Sequence, residues 1–300
     1  MRIFKRYGDD IKQEIIGKES EKKGLFLYFE LLIRKFWKYV TLNLLYSFSS
    51  VVNLVIYWFV SSGFFVPLLL SSIPEENWKR WADASNGMPV EQFYGAISFF
   101  TACLIAFLLV LLFGGGVFSA GYNYVLRNYA RQENSFMLSD YFAQTKNNFT
   151  QSLVVSVIDI IVLTIAMFSG CYYFSLMNNG GGTFAVIAFA IVVFALLIYA
   201  VMHTYMWTML VTFKISIKQL FKNAFLLTFG AALNSILYIV ILVIYTFIST
   251  VIFAYNWVLA GGIFIVIGFT AFNLAGHLIS YPVIKKYMIG DTKENEEGKK

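Results

Sequence analysis

From residue 40 to residue 283 the chain carries eight basic and seven acidic side chains, and only one of these falls inside the six long apolar runs of that stretch. Within lipid every backbone N–H and C=O must be paired, and a helix does this within its own segment. About 20 apolar residues are enough to cross a bilayer. Over the whole chain 59% of residues are hydrophobic and 13% charged, against about 25% charged in a soluble domain. A soluble enzyme, a nucleic-acid binder and a disulfide scaffold are thereby excluded. The expected fold is all-α, a polytopic transmembrane helical bundle.

The spans are expected at about 40–70, 96–121, 152–176, 184–212, 224–254 and 259–283. The first and fifth exceed what a ~30 Å core requires at ~1.5 Å per residue, and Gly63 and Pro67 are places where the first can end. The stretches 1–39, 122–151, 213–223 and 284–300 hold 21 of the 23 Lys and Arg; the other two, Lys79 and Arg80, share a loop with Glu75, Glu76, Asp83 and Glu91. Basic residues are retained on the cytoplasmic side, so both termini are expected there. The net charge of +6 then reports topology, with no nucleic-acid partner needed. The chain divides into a basic amphipathic segment 1–39, a transmembrane domain 40–283 and a tail 284–300.

The first apolar run, Leu25 to Ile33, is too short to span, is interrupted by Glu30 and is followed by Arg34-Lys35-Phe36-Trp37-Lys38. It lacks a small-residue cleavage pattern, so it is not read as a signal peptide. It reads as an amphipathic helix over 25–38 on the cytoplasmic leaflet. Trp78 and Trp81 place the loop 72–95 at headgroup level on the outer face. Pro89 stands near the start of the second span, where proline is tolerated. The tail from Lys293 onward has no apolar residue and is expected to be disordered.

Three segments run from a basic, aromatic stretch directly into a span: Arg34 to Lys38, Lys146 to Phe149, and Lys218 to Phe225. The last two align Lys146 with Lys222 and Phe149 with Phe225. A duplicated helical hairpin would leave this pattern, and so would the ordinary preference of inward-facing helix starts for a basic collar and an interfacial aromatic.

The stretch 118–133, with Ala120-Gly121-Tyr122-Asn123-Tyr124 and Arg127-Asn128-Tyr129, is followed by Ser139-Asp140-Tyr141-Phe142 and Lys146-Asn147-Asn148-Phe149. This block resembles the YesL-like family of bacterial multi-pass membrane proteins. Met209 to Phe213 with Lys222-Asn223-Ala224, and the ending Tyr281 to Tyr287, are similar to that family's later blocks, so the resemblance covers residues 100–290. The chain departs from the family where Gly115-Gly116-Val117 replaces a Gly-Pro pair and where Asn134 replaces a histidine. The resemblance implies a cytoplasmic-membrane protein of five or six spans. By gene neighbourhood it also implies a link to carbohydrate import, with components of a carbohydrate ABC transporter as partners.

Asp159 is the one carboxylate inside an expected span, where a charge costs roughly 2.5–3.5 kcal/mol. Asn148, Ser152, Ser156 and Asp159 share a helical face. His203 and His277 lie at comparable depth, with Tyr199, His203 and Trp207 forming one stripe and Asn273, His277 and Tyr281 another; Asn234 and Tyr238 add a third. One reading is a polar cavity formed by Asp159, His203, His277, Ser156, Asn234 and Asn273, with Asp159 paired to a histidine and able to pass protons. The other is that these groups only tie helices together, at about 0.6 kcal/mol each.

Arg127 and Arg131 share a helix face and, with Lys146, Lys214, Lys218 and Lys222, are expected to form a cytoplasmic surface that docks a partner or grips lipid headgroups. Asp140 is expected to cap the amphipathic segment that follows. Gly114-Gly115-Gly116 lacks the strand and the Gly-Lys ending of a phosphate loop; Gly115 with Ser119 and Gly116 with Ala120 give small-xxx-small spacing for close helix packing. Cys103 and Cys171 are expected to be free thiols, and two histidines without a ligand-spacing motif leave no expectation of a metal, a cofactor or catalysis. The leading expectation is an accessory or scaffold protein of the membrane, linked to carbohydrate import. The alternative is a small-solute or proton-coupled transporter built around Asp159. A homo-oligomer is compatible with either.

Overall fold

Five helices are long and apolar enough to cross a membrane, and a sixth apolar segment does so only as a pair bent by 55°. The computed structural model describes residues 24–71, 73–85, 87–113, 116–178 and 180–289. The expectations placed on residues 1–23, on Gly114 and Gly115, and on the tail from residue 290 lie outside the described residues.

The amphipathic α1 (Leu25–Arg34) leads through Lys35 into α2 (Phe36–Ser49) and α3 (Val51–Val60), which continues by a π-helical turn (Ser61–Phe65) into α4 (Val66–Leu70). A short α5 (Glu75–Ala84) precedes α6 (Val90–Phe113), and α7 (Ser119–Ala130) and α8 (Met137–Asn147) follow. The two longest helices are α9 (Phe149–Asn178) and α10 (Gly182–Leu210). Then come α11 (Ile217–Gly230), α12 (Ala232–Tyr255) and α13 (Trp257–Ile263), a π-helical turn over Phe264–Gly268, α14 (Phe269–Ile284) and a last π-helical turn over Lys285–Ile289. There is no β-strand among the described residues. α2, α7, α10 and α14 pack on one another around a core of Tyr39, Tyr46, Tyr122, Tyr205 and Phe272, all buried.

Three of the expected spans are interrupted, each for a local reason. The expected 40–70 run breaks at Ser50, within a serine-rich stretch. The Ser49 hydroxyl donates back to the carbonyls of Leu45 at 2.9 Å and Tyr46 at 3.0 Å, and such back-bonding bends helices. The expected 96–121 run begins earlier, where the Pro89 carbonyl accepts from the Phe93 N–H at 3.0 Å, and it stops at Phe113. Gly116 has φ +72° and opens a 3₁₀ turn, and a Cβ there would stand 2.7 Å from Asn53 Oδ1. The expectation that Gly116 belongs to a continuous packing stripe with Ala120 is therefore corrected: glycine is needed there for the left-handed turn. The last span is interrupted by the π-helical turn over Phe264–Gly268.

Close helix packing does occur at Gly121, where a Cβ would clash with the Tyr141 carbonyl oxygen; α7 and α8 touch there backbone to backbone. α8 exposes Leu138 and Phe142 while burying Tyr141 and Thr145, and α1 exposes Phe26, Phe29 and Ile33 while burying Leu31. Asp140 lies inside the first turn of α8 and accepts from the Phe136 N–H at 2.8 Å and the Ser135 hydroxyl at 2.7 Å. It thus ties down the start of its own helix, not of a following segment. α11 starts with a capping box between Ser216 and Gln219, which satisfies free N–H groups of the first turn. Trp78 is a further correction: it is buried against Tyr94, Phe93 and Trp81, and only Trp81 is open to the surroundings.

Candidate intramembrane proton site

α9 and α10 run side by side, and each contributes one polar face to their contact. Residues four apart share a helical face, which brings Tyr199, His203 and Trp207 of α10 onto Asp159 of α9. Asp159 is 0% exposed and His203 3%. The Tyr199 hydroxyl donates to Asp159 Oδ1 at 2.6 Å, and His203 Nε2 lies 3.0 Å from Asp159 Oδ2. The Trp207 indole N–H donates to the same His203 Nε2 at 2.8 Å. Tyr57 of α3 lies within electrostatic reach of both Asp159 and Tyr199.

This geometry bears on where the proton sits. An indole N–H can only donate, so Trp207 requires a lone pair on His203 Nε2. If that nitrogen carried a proton for an ionised Asp159, two N–H groups would point at each other. Neutral Nε2 has a single lone pair, so Trp207 and Asp159 compete for it, while Asp159 Oδ1 accepts from Tyr199. Asp159 and His203 stand within hydrogen-bond distance of each other, the geometry a proton transfer between them would need.

The other expected members of the cavity divide. Ser156 is buried on the Asp159 face but donates to the Ser152 carbonyl of its own helix at 2.8 Å. His277 is buried in a separate group on α14: its Nε2 meets Asn123 Oδ1 at 2.9 Å and its Nδ1 meets the Thr208 hydroxyl at 3.3 Å, with Ser280 at 2.8 Å from that hydroxyl. Asn273 donates to the Phe269 carbonyl at 2.9 Å. Asn234 is half-buried on α12. The single expected cavity is thus two polar groups.

The arginines expected on a docking surface point inward. Arg127 is 0% exposed. Its Nη1 donates to the Val211 carbonyl at 2.8 Å and the Thr212 hydroxyl at 3.1 Å, and Nη2 donates to Asn128 Oδ1 at 2.9 Å. It satisfies a carbonyl just past the end of α10, where a cation is favoured by the helix dipole. Arg131 pairs with Glu133 at 2.8 Å and lies over the Tyr281 ring at 4.7 Å, with 14% of its side chain exposed. Lys146, Lys214, Lys218 and Lys222 are exposed. Among the described residues no group of three His, Cys, Asp or Glu side chains could hold a metal, and Cys103 and Cys171 are free.

Sequence reasoning missed the inward face of the first span. Tyr39, Asn43, Tyr46, Ser50, Asn53, Tyr57 and Ser61 recur at heptad spacing. All are buried except the half-buried Asn53, while Phe48, Val52 and Phe59 on the outer face are exposed. Every member carries a polar atom, a signal visible in the spacing. Asn43 holds the interrupted last span: its Nδ2 donates to the carbonyls of Phe264 at 2.8 Å and Ile265 at 2.7 Å, and its Oδ1 accepts from the Thr270 N–H at 2.7 Å. These are backbone groups that a π-helical turn leaves outside the regular i to i−4 ladder. No protein-family model, curated protein or solved structure matches this chain.

Proposed function

We propose that the protein is a membrane carrier for a small solute, coupled to protonation of Asp159. The observation that carries this reading is a carboxyl with no exposure, inside an apolar helix, held by His203 and Tyr199 in an arrangement that can exchange a proton. Ionisable residues within spans commonly mark ion and proton pathways. The interrupted helices add support, because carriers place their sites where spans are broken and backbone polar groups are freed. Here the 3₁₀ turn after Gly116 packs on α9, and the π-helical turn over Phe264–Gly268 packs on α2.

The test is uptake by purified protein in liposomes under an imposed pH gradient. Labelled hexose, labelled disaccharide, sodium and potassium serve as probes, the sugars chosen because the YesL-like resemblance links such proteins to carbohydrate import. Uptake of one probe above empty liposomes, lost in Asp159→Asn at equal yield of folded protein, is expected. Wild-type uptake equal to that of empty liposomes for every probe would overturn the reading.

A second reading is an accessory protein of a carbohydrate importer. Four exposed lysines, Lys146, Lys214, Lys218 and Lys222, favour it, since a partner's acidic patch would find them accessible. It predicts that permease subunits co-purify from gently solubilised membranes and are released when these four lysines become glutamates.

A further inference from the structure

A hydroxyl or amide buried in a span is costly unless something accepts or donates to it. Along the inward stripe of the first span, the Ser50 hydroxyl, the Asn53 Nδ2, the Tyr57 hydroxyl and the Ser61 hydroxyl are buried atoms without a hydrogen-bond partner. They are consecutive members of that stripe, spanning about 16 Å of helix at ~1.5 Å per residue. They begin at the Ser50 break and end at the π-helical turn that opens with Ser61. On the side of α2 the stripe changes character: Asn43 is fully bonded to the last span, and Tyr46 stacks on Tyr122 with ring centroids 3.9 Å apart. Tyr39 on α2 also has a buried hydroxyl without a partner, but the consecutive run of such atoms extends from the Ser50 break through α3 to its exit.

The same stripe meets the proton site. The π-helical turn that opens with Ser61 packs on α9, Tyr57 lies within electrostatic reach of Asp159 and Tyr199, and Asn53 rests on the turn at Gly116, whose 3₁₀ segment packs on α9. On Asp159's own helix face the Ser152 hydroxyl is likewise buried and without a partner. The titratable groups around Asp159 are Tyr57 from α3 and Tyr199 and His203 from α10.

We propose that Ser50, Asn53, Tyr57 and Ser61 hold a file of water that carries protons to and from Asp159. Water fits the orphaned groups because it donates and accepts at once and bridges hydroxyls and amides that cannot reach one another. The balance is simple. A proton arriving along the file passes from its last water, which bridges the Tyr57 hydroxyl and Asp159, to an ionised Asp159 carboxylate, and the water takes its replacement proton from the water before it. Release runs in reverse, and no electrons are transferred. The proposal deepens the carrier reading by naming the coupling ion as the proton and the first span as its route; its test does not depend on finding the solute.

That test is hydrogen–deuterium exchange of the Asp159 carboxyl, followed by infrared spectroscopy of the C=O band in liposome-reconstituted protein. Asp159→Asn identifies the band by its loss. In wild-type protein the band is expected to be present near neutral pH and to shift promptly in deuterated buffer. Tyr57→Phe and Ser61→Ala, which preserve shape, should slow that shift by about tenfold or more, the rate equivalent of one lost hydrogen bond in the relay. Asn53→Leu should do the same, and outward-facing Val52→Leu should leave the rate unchanged. Slow exchange in Tyr57→Phe and Ser61→Ala would support the file even if no solute is ever found. Wild-type rates in both, or the absence of a protonated Asp159 band at every pH, would overturn it while leaving solute uptake to be judged separately.

Discussion

Trp207 donates its indole N–H to His203 Nε2 at 2.8 Å, on the same nitrogen that faces Asp159 Oδ2 at 3.0 Å. Two partners thus compete for one ring position, and the tryptophan opposes a proton there. Trp207→Phe keeps an aromatic ring in place and removes only the donor. The proton is then expected to move from Asp159 onto His203, forming an ion pair. With two histidines in the chain, ¹⁵N spectra of labelled protein can separate them using His277→Gln. The wild type should show a neutral His203 ring protonated on Nδ1, and Trp207→Phe a ring protonated on both nitrogens. A doubly protonated His203 already present in the wild type would contradict this assignment.

Asn43 has a different kind of importance, because its partners are all main-chain groups of another span. Asn43→Leu removes the bonds to the Phe264 and Ile265 carbonyls and from the Thr270 N–H. Each buried group left without a partner costs roughly 1–3 kcal/mol. The variant should unfold several degrees earlier in detergent, and the loss should be greater than for Asn273→Leu, which gives up one bond within its own helix. Equal melting of the two variants would show that the π-helical turn does not depend on Asn43.

Arg127 joins α7 to the end of α10 through the Val211 carbonyl and Thr212. Arg127→Glu places a carboxylate against carbonyl oxygen, so it should abolish recovery of folded protein outright. Arg127→Lys keeps the charge but loses the planar fork that reaches Asn128 and Val211 together, and should lower the melting temperature without preventing folding. Size-exclusion profiles of the two variants check this. A well-folded Arg127→Glu protein that merely loses a bound partner would restore the docking role expected from the sequence.

The spans were legible because hydropathy over ~20 residues is a property of composition, and Asp159 was legible because a single carboxylate among apolar residues has no other place to hide. Comparable depth suggested a histidine partner but could not choose between His203 and His277; the packing of α9 on α10 selects His203. The break over Phe264–Gly268 was not legible, since Asn43, which holds it, lies more than 200 residues away in sequence. Arg127 misled for a related reason: counting arginines assigns a side of the membrane, but its carbonyl partners at Val211 exist only once α10 ends beside α7. The polar stripe of the first span was present in the sequence at heptad spacing. It escaped notice because Tyr, Ser and Asn are diluted by Val, Ile and Phe in any hydropathy window.

Lys35 sits just outside the first span, its Nζ donating to the Tyr129 carbonyl at 3.0 Å and lying 5.6 Å from that ring's centroid. Burial, then the nearby charges of Lys38 and Arg34, push its pKa down from the ordinary 10.5 to about 8. The folded protein therefore holds this proton less tightly than the unfolded chain does. Between about pH 8 and pH 10.5 the unfolded chain binds more protons at this site, so the contribution of Lys35 to stability rises with pH across that window. Below pH 8 both states are protonated and the contribution is flat. Melting temperatures of wild type and Lys35→Gln, measured from pH 7 to pH 10.5, should diverge in favour of the wild type as pH rises. The hydrogen bond to Tyr129 survives deprotonation, because a neutral amine still donates. Parallel curves for the two proteins over this range would mean that Lys35 titrates as an ordinary surface lysine.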